Sequence, residues 1–183
     1  KEDKVHFIGI GGIGVSAVAR VLLEQGIPVT GSDVRESQIT LELESMGAIV
    51  NIGHTPENVA NVDLVVHSTA IPDTNCELIE AKNNGTRIVH RSEVLGAIVA
   101  QHTLSIGVVG THGKGTVASA LTWILESAGR KPTFIIGGLL ENLNKKNARY
   151  VDGQIAVAEV DESDGSLRNV HPHIVVINTL EAD

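Results

Sequence analysis

Apolar and polar positions along the chain follow two alternating rhythms. Short runs rich in Val and Ile are separated by stretches in which apolar residues recur every three or four positions, the pattern of parallel βαβ units. The runs predict strands over 5–10, 28–32, 48–52, 64–67, 87–90, 103–109, 133–136, 155–159 and 174–178. The stretches between them predict helices over 14–25, 38–46, 76–83, 93–100 and 114–128. Gly26, Gly47, Gly85 and Gly129 fall where these helices would end, positions that favour a left-handed residue. The polar segment 141–153, ENLNKKNARYVDG, reads as a long functional or mobile loop.

One theme occurs twice. A glycine-rich turn joins a strand to a helix near residue 9 and again near residue 110. Two such turns about a hundred residues apart predict two α/β units, a Rossmann-like parallel-sheet domain over 1–102 and part of a P-loop-type α/β nucleotide-binding domain over 103–183.

The first turn lies in VHFIGIGGIGVSAVARVLLEQG, where Gly9, Gly11 and Gly14 have the spacing G-x-G-x-x-G. In that spacing the first glycine permits the tight turn, the second lets backbone approach a diphosphate, and the third allows close helix packing. Asp33 at the end of the next strand offers a carboxylate to ribose hydroxyls or a base. A nicotinamide dinucleotide and a UDP-sugar both fit these features.

The second turn reads Gly110, Thr111, His112, Gly113, Lys114, Gly115, Thr116. Its G-x-x-G-K spacing is shorter than that of the common P-loop, but the chemistry is shared: backbone N–H groups surround a β-phosphate, one ammonium neutralises the γ-phosphate, and a nearby hydroxyl holds Mg²⁺. A dehydrogenase has no use for this second turn, which favours a protein that binds one nucleotide as substrate and another as phosphoryl donor. After the predicted strand IAVAEV come Glu159, Asp161, Glu162 and Asp164. Like charges so close need solvent or cations, and Glu159 suits a Mg²⁺ shared with ATP phosphates.

Composition trims the options. The formal charge is −8, and the 14 Lys and Arg are scattered, which argues against a nucleic-acid surface. The lone Cys76 forms no internal disulfide, no apolar run reaches the roughly 18 residues of a membrane helix, and no secretory leader is visible, so a cytoplasmic protein is expected. Hydrophobic residues make up 42% of the 183, enough for one compact core or two small ones. The chain starts at Lys1 without a Met and stops soon after a strand-like run, which reads as part of a longer protein. Of the eight histidines, none has ligand spacing to another, and only His112 earns a place by position in the loop.

In order and spacing, GIGGIGVSA, GSD, HSTAIP, GTHGK, the Asn-Ala-Arg segment, AEVDESDGS and INTLEAD resemble the Mur ligase family over essentially the whole chain, and its alanine-adding branch above all. The resemblance implies an ATP-dependent ligase of peptidoglycan synthesis, in which an acyl phosphate forms on the carboxylate of UDP-N-acetylmuramate and the amine of L-alanine attacks it. Carried over by position, Gly11, Gly12, Ile13 and Gly14 would face the UDP diphosphate. Asp33, His54, Ser68 and Thr69 would help to bind the UDP-sugar. Residues 110–116 would hold ATP, with Lys114 on its phosphates, and Glu159 would ligate Mg²⁺. The family's alanine-adding members carry Thr directly after the loop lysine, where this chain has Gly115; Thr116 is the candidate replacement. The resemblance also implies that these residues bind nucleotides but do not complete ligation alone. A tripeptide-recycling ligase and a non-catalytic UDP-sugar-binding module are the alternatives.

Overall fold

The computed structural model describes residues 4–140, 146–162 and 165–179. Contacts divide the chain into two compact units, 1–91 and 92–183.

In the first unit, β1 (Val5–Ile8), β2 (Val29–Asp33), β3 (Ile49–Ile52), β4 (Leu64–His67) and β5 (Arg87–His90) form a parallel sheet in the order β3-β2-β1-β4-β5. The central strand VHFI is buried at every position, as expected of a parallel strand covered on both faces. Helices α1 (Ile13–Glu24), α2 (Gln38–Ser45) and α3 (Cys76–Asn83) connect the strands. The Ser37 hydroxyl accepts from the Thr40 N–H in a reciprocal cap that starts α2, and the Asn75 side chain caps α3 by accepting from the Glu77 and Leu78 N–H groups. Ile8, Val65, Leu78, Ala81 and Val59 pack together between sheet and α3. Each large side chain so buried contributes roughly 1.5–3 kcal/mol.

The second unit contains α4 (Arg91–Ala100), β6 (Leu104–Val109), α5 (Lys114–Ser127), β7 (Thr133–Leu140), β8 (Lys146–Arg149), β9 (Ile155–Glu159) and β10 (Ile174–Ile177), with the sheet order β10-β6-β9-β7-β8. Val108, Ala118, Phe134, Ile136 and Val157 form its core. The division falls just after the first residue of α4, whereas the sequence reading places a boundary after that helix. The bare backbone of Gly96 lies against the Asn169 carbonyl, and Asn169 Nδ2 donates to Ser92 Oγ at 2.8 Å, which ties α4 to the second unit.

The predicted strands and helices are present with ends shifted by a few residues, and Gly26, Gly47, Gly85 and Gly129 all have positive φ. One reading is corrected. Residues 146–149, taken as loop, form β8, antiparallel to β7. Its letters are mostly polar, yet the adjacent Asn147 and Ala148 are both buried, while Arg149 pairs with Glu126 at 2.6 Å and lies over the Phe134 ring. An edge strand needs only one apolar partner face, so its sequence signal is weak. Residues 141–145 lie outside the described residues.

Candidate functional site

In the first unit the sheet order reverses beside β1, and α/β sheets place ligands at the carboxyl ends of strands at such a switch point. A cavity of about 760 Å³ opens there, lined by Gly9, Gly11 and Gly12 after β1, Asp33 at the end of β2, His54 after β3 and Ser68 after β4. Gly9 has φ +74, the left-handed turn that lets the chain leave β1 and enter α1 within a few residues. The first-turn N–H groups of α1 have no partners within the helix, and the helix field there is positive. Gly12, the N-cap, offers no side-chain cap of its own, and no acid lies in that turn.

Asp33 is part of the turn itself. Its Oδ2 accepts from the Gly11 N–H at 2.9 Å, and a Cβ on Gly11 would stand 2.9 Å from the same oxygen. Ile13 is the exposed first residue of α1, and the Arg91 guanidinium lies against Gly14. Thr69 is exposed between the lining residues Ser68 and Ala70.

Beneath the cavity is a polar network that sequence reading missed. Glu77, fully buried in the first turn of α3, accepts from Asn58 Nδ2 at 2.6 Å, from Ser32 Oγ at 2.6 Å and from His54 Nδ1 at 2.9 Å. His6 Nε2 stands 3.7 Å away, too far for a hydrogen bond but close enough to act through charge, and His6 Nδ1 meets Thr30 Oγ1 at 2.8 Å. Burial works to raise the Glu77 pKa; the His6 ring, Ser32 and Asn58 outweigh it and hold the carboxyl at about 2. Nothing in helical periodicity distinguishes Glu77 from an exposed glutamate. A carboxylate two residues after the helix-capping Asn75 is ordinarily solvated.

The second unit places its glycine turn between β6 and α5. Gly113 caps α5 at φ +75, where an added Cβ would run into the Asn178 side chain. Asn178 Nδ2 donates to the His112 carbonyl, the Thr111 N–H to the Thr179 carbonyl at 3.1 Å, and the His112 N–H to Thr179 Oγ1 at 2.9 Å. The loop is thus braced by the end of β10, the strand beside β6. Two of its N–H groups are used in that bracing, which leaves the start of α5, from Gly113 onward, as the stretch suited to an anion.

Lys114 Nζ donates to the Gly110 carbonyl at 2.8 Å and to Glu162 at 2.9 and 3.1 Å. Glu159 ends β9 facing the same helix start. Its Oε2 accepts from the Gly137 N–H at 2.6 Å, and a Cβ on Gly115 would lie 3.4 Å from that oxygen. The geometry therefore gathers Lys114, Gly115, Glu159 and Glu162, while Thr116 is exposed one position further round α5. Of the remaining acids, Asp164 lies outside the described residues. Asn178, Thr179 and Gly137 were not anticipated, because a sequence does not declare which strands become neighbours.

A family model described as the catalytic domain of the Mur ligase family matches residues 4–103. The UDP-N-acetylmuramate–L-alanine ligase of Geotalea uraniireducens is 46% identical over 183 residues, all of this chain and 40% of that protein. The enzyme of the same name from Renibacterium salmoninarum is 48% identical over 180 residues, 98% of this chain and 38% of that protein. The chain thus spans about 40% of the length of these curated relatives. Among solved structures, UDP-N-acetylmuramate-alanine ligase from Thermotoga maritima superposes with a TM-score of 0.88 at 31% identity, over 96% of this chain and 41% of that one. The UDP-N-acetylmuramate:L-alanyl-gamma-D-glutamyl-meso-diaminopimelate ligase of Neisseria meningitides gives 0.89 at 28% identity, over 100% and 62%.

Proposed function

This chain belongs to the Mur ligase family, and on that premise we propose that it is the nucleotide-handling part of a ligase that joins L-alanine to the carboxylate of UDP-N-acetylmuramate at the expense of ATP. The observation that carries the reading is the pair of strand-to-helix glycine turns, the first opening on a cavity large enough for a nucleotide sugar, the second set with Lys114 and Glu159. The first unit would hold the UDP-sugar and the second ATP. L-alanine is read as the acceptor because the curated relatives at 46–48% identity are named for it, whereas the neighbour named for a peptide is 28% identical.

The proposed chemistry transfers the γ-phosphoryl group of ATP to a carboxylate oxygen of the sugar, releasing ADP. The neutral amine of alanine then attacks the acyl carbon and phosphate leaves, while the amine sheds a proton. Such steps need positioning and charge neutralisation more than an elaborate acid–base set. Lys114, tethered to the Gly110 carbonyl, would meet the phosphates once they displace Glu162, and the N–H groups that open α5 would orient them. The residues also fit Mg²⁺. Glu159 presents a carboxylate at that helix start, and among the described residues no group of three His, Cys, Asp or Glu side chains forms a cage. A metal held by one or two carboxylates and completed by phosphates and water is the usual arrangement for Mg²⁺. When bound it would screen the phosphate charge and polarise the transferring group.

Calorimetric titration tests this reading. Binding of UDP-N-acetylmuramate lost in Gly12→Asp and kept in Lys114→Ala, with ATP-Mg²⁺ showing the reverse, would assign two substrates to two turns. A folded chain that binds no UDP-N-acetylmuramate would sink it.

A further inference from the structure

Glu77 is costly where it sits. A carboxylate without solvent exposure must be repaid by hydrogen bonds, and three side chains converge on it, Ser32 from the end of β2 and His54 and Asn58 from the stretch after β3. One of them, His54, also lines the cavity above the first glycine turn. The two facts together set the chemistry that His54 shows to a ligand.

Glu77 has no proton to give at neutral pH, since its pKa lies at about 2. The proton in the 2.9 Å contact therefore belongs to His54 Nδ1. Ser32 Oγ, 3.0 Å from the same nitrogen, gives its own proton to Glu77 at 2.6 Å and presents a lone pair to the ring, which also requires a donor at Nδ1. With Nδ1–H fixed, the neutral ring carries its lone pair on Nε2, the reverse of the tautomer that prevails for a free histidine side chain in water. Nε2 has no hydrogen-bond partner among the described residues, and the side chain keeps 18% exposure. The segment bearing His54 is held at a second point, because Asn58 Nδ2 bridges Glu77 Oε1 and the Gly53 carbonyl.

We propose that Glu77 is a positioning residue that locks His54 with Nδ1–H turned inward, so that Nε2 meets a nucleoside diphosphate sugar as a hydrogen-bond acceptor for one of its hydroxyl or imide N–H groups. This rests on the reading of the first cavity as a UDP-sugar site. It explains why a buried carboxylate occupies a place where an apolar residue would pack more cheaply. It also sets a polarity rule: the ligand group beside His54 is a donor, and a phosphate oxygen would be repelled by the lone pair.

Two measurements on the 183-residue chain test it. Long-range ¹H–¹⁵N correlation spectra of the histidine rings should show His54 protonated at Nδ1 and bare at Nε2, and Glu77→Leu should return the ring to the Nε2–H form. In titration with UDP-N-acetylmuramate, His54→Asn keeps an amide at the place of Nδ1 but nothing at the place of Nε2. It should lose about tenfold in affinity with an unchanged melting temperature, and His54→Gln, whose amide oxygen can reach the place of Nε2, should recover part of the loss. A wild-type ring protonated at Nε2, as tautomer or as imidazolium, overturns the proposal, and so does His54→Asn binding as tightly as wild type. A wild-type chain that binds no UDP-N-acetylmuramate removes the functional reading and the ligand half of this proposal, while the ring spectra still decide the half that concerns Glu77.

Discussion

Asp33 accepts a hydrogen bond from the Gly11 N–H, its Oδ2 2.9 Å from that nitrogen. The same donor suits a diphosphate. In the second unit Glu162 plays a comparable part towards the Lys114 ammonium, at 2.9 Å. Each unit thus meets, with one of its own carboxylates, a group that also suits a phosphate. The local logic is electrostatic: a helix start or an ammonium is poorly placed without a counter-charge, and a carboxylate supplies one until a stronger anion competes.

Because Lys114 is largely covered while Glu162 is about one-third exposed, their pairing stabilises the chain by less than about 1 kcal/mol. Glu162→Gln should therefore leave the melting temperature nearly unchanged and raise the affinity for ATP by roughly two- to fivefold, as the competitor is removed. Lys114→Ala should abolish measurable ATP binding. Weaker ATP binding in Glu162→Gln would show that this carboxylate serves the nucleotide complex instead of competing with it.

Gly11→Ala tests the counterpart. The added methyl would stand 2.9 Å from Asp33 Oδ2 and 3.3 Å from Thr40 Cγ2, so Asp33 must turn away and its bond to the Gly11 N–H is lost. A loss of about 1–2 kcal/mol in chemical denaturation is expected. UDP-N-acetylmuramate affinity should fall more than tenfold while ATP binding is retained. Unaltered UDP-N-acetylmuramate binding would mean that the ligand does not approach Gly11.

Much of this architecture was legible in the chain. Val and Ile runs marked the parallel strands because such strands are buried on both faces, and β1 is buried throughout. The glycine turns and Lys114 announced themselves by residue types that few other roles require. The rest depended on strand order, which local sequence does not encode. Asn178 and Thr179 brace the second turn only because β10 lies beside β6, and Glu77 enters the polar network only because α3 packs under Ser32 and His54. β8 escaped because Arg149 satisfies itself on Glu126 and Phe134, so a polar residue occupies a largely covered strand position.

The Glu77 network carries a pH signature. Its folded-state pKa of about 2 lies below the ordinary 4.5, so its contribution is fully present above pH 4.5 and is lost as pH falls towards 2. The amount is on the order of 3 kcal/mol. Urea denaturation should show wild type losing stability between pH 5 and 2, with Glu77→Gln less stable at pH 7 and the gap closing as pH falls. Parallel pH profiles for the two proteins would contradict this.

Gly115 bears on where a hydroxyl ligand for the proposed Mg²⁺ would come from. It faces Glu159, with room at 3.4 Å for a Cβ in ordinary contact, whereas Thr116 has its side chain exposed one position further on. Gly115→Thr should therefore be accepted with a melting shift within about 3 °C, and should bring a hydroxyl within reach of a cation held by Glu159. If Thr116 supplies that ligand in the natural chain, Thr116→Ala weakens Mg²⁺-ATP binding severalfold. In the Gly115→Thr background the same change should cost nothing, because the new hydroxyl has taken over. Both effects should vanish when ATP is titrated in EDTA. If Thr116→Ala is silent in both backgrounds, Thr116 is no metal ligand, and the cation on Glu159 is completed by water and phosphate oxygens alone.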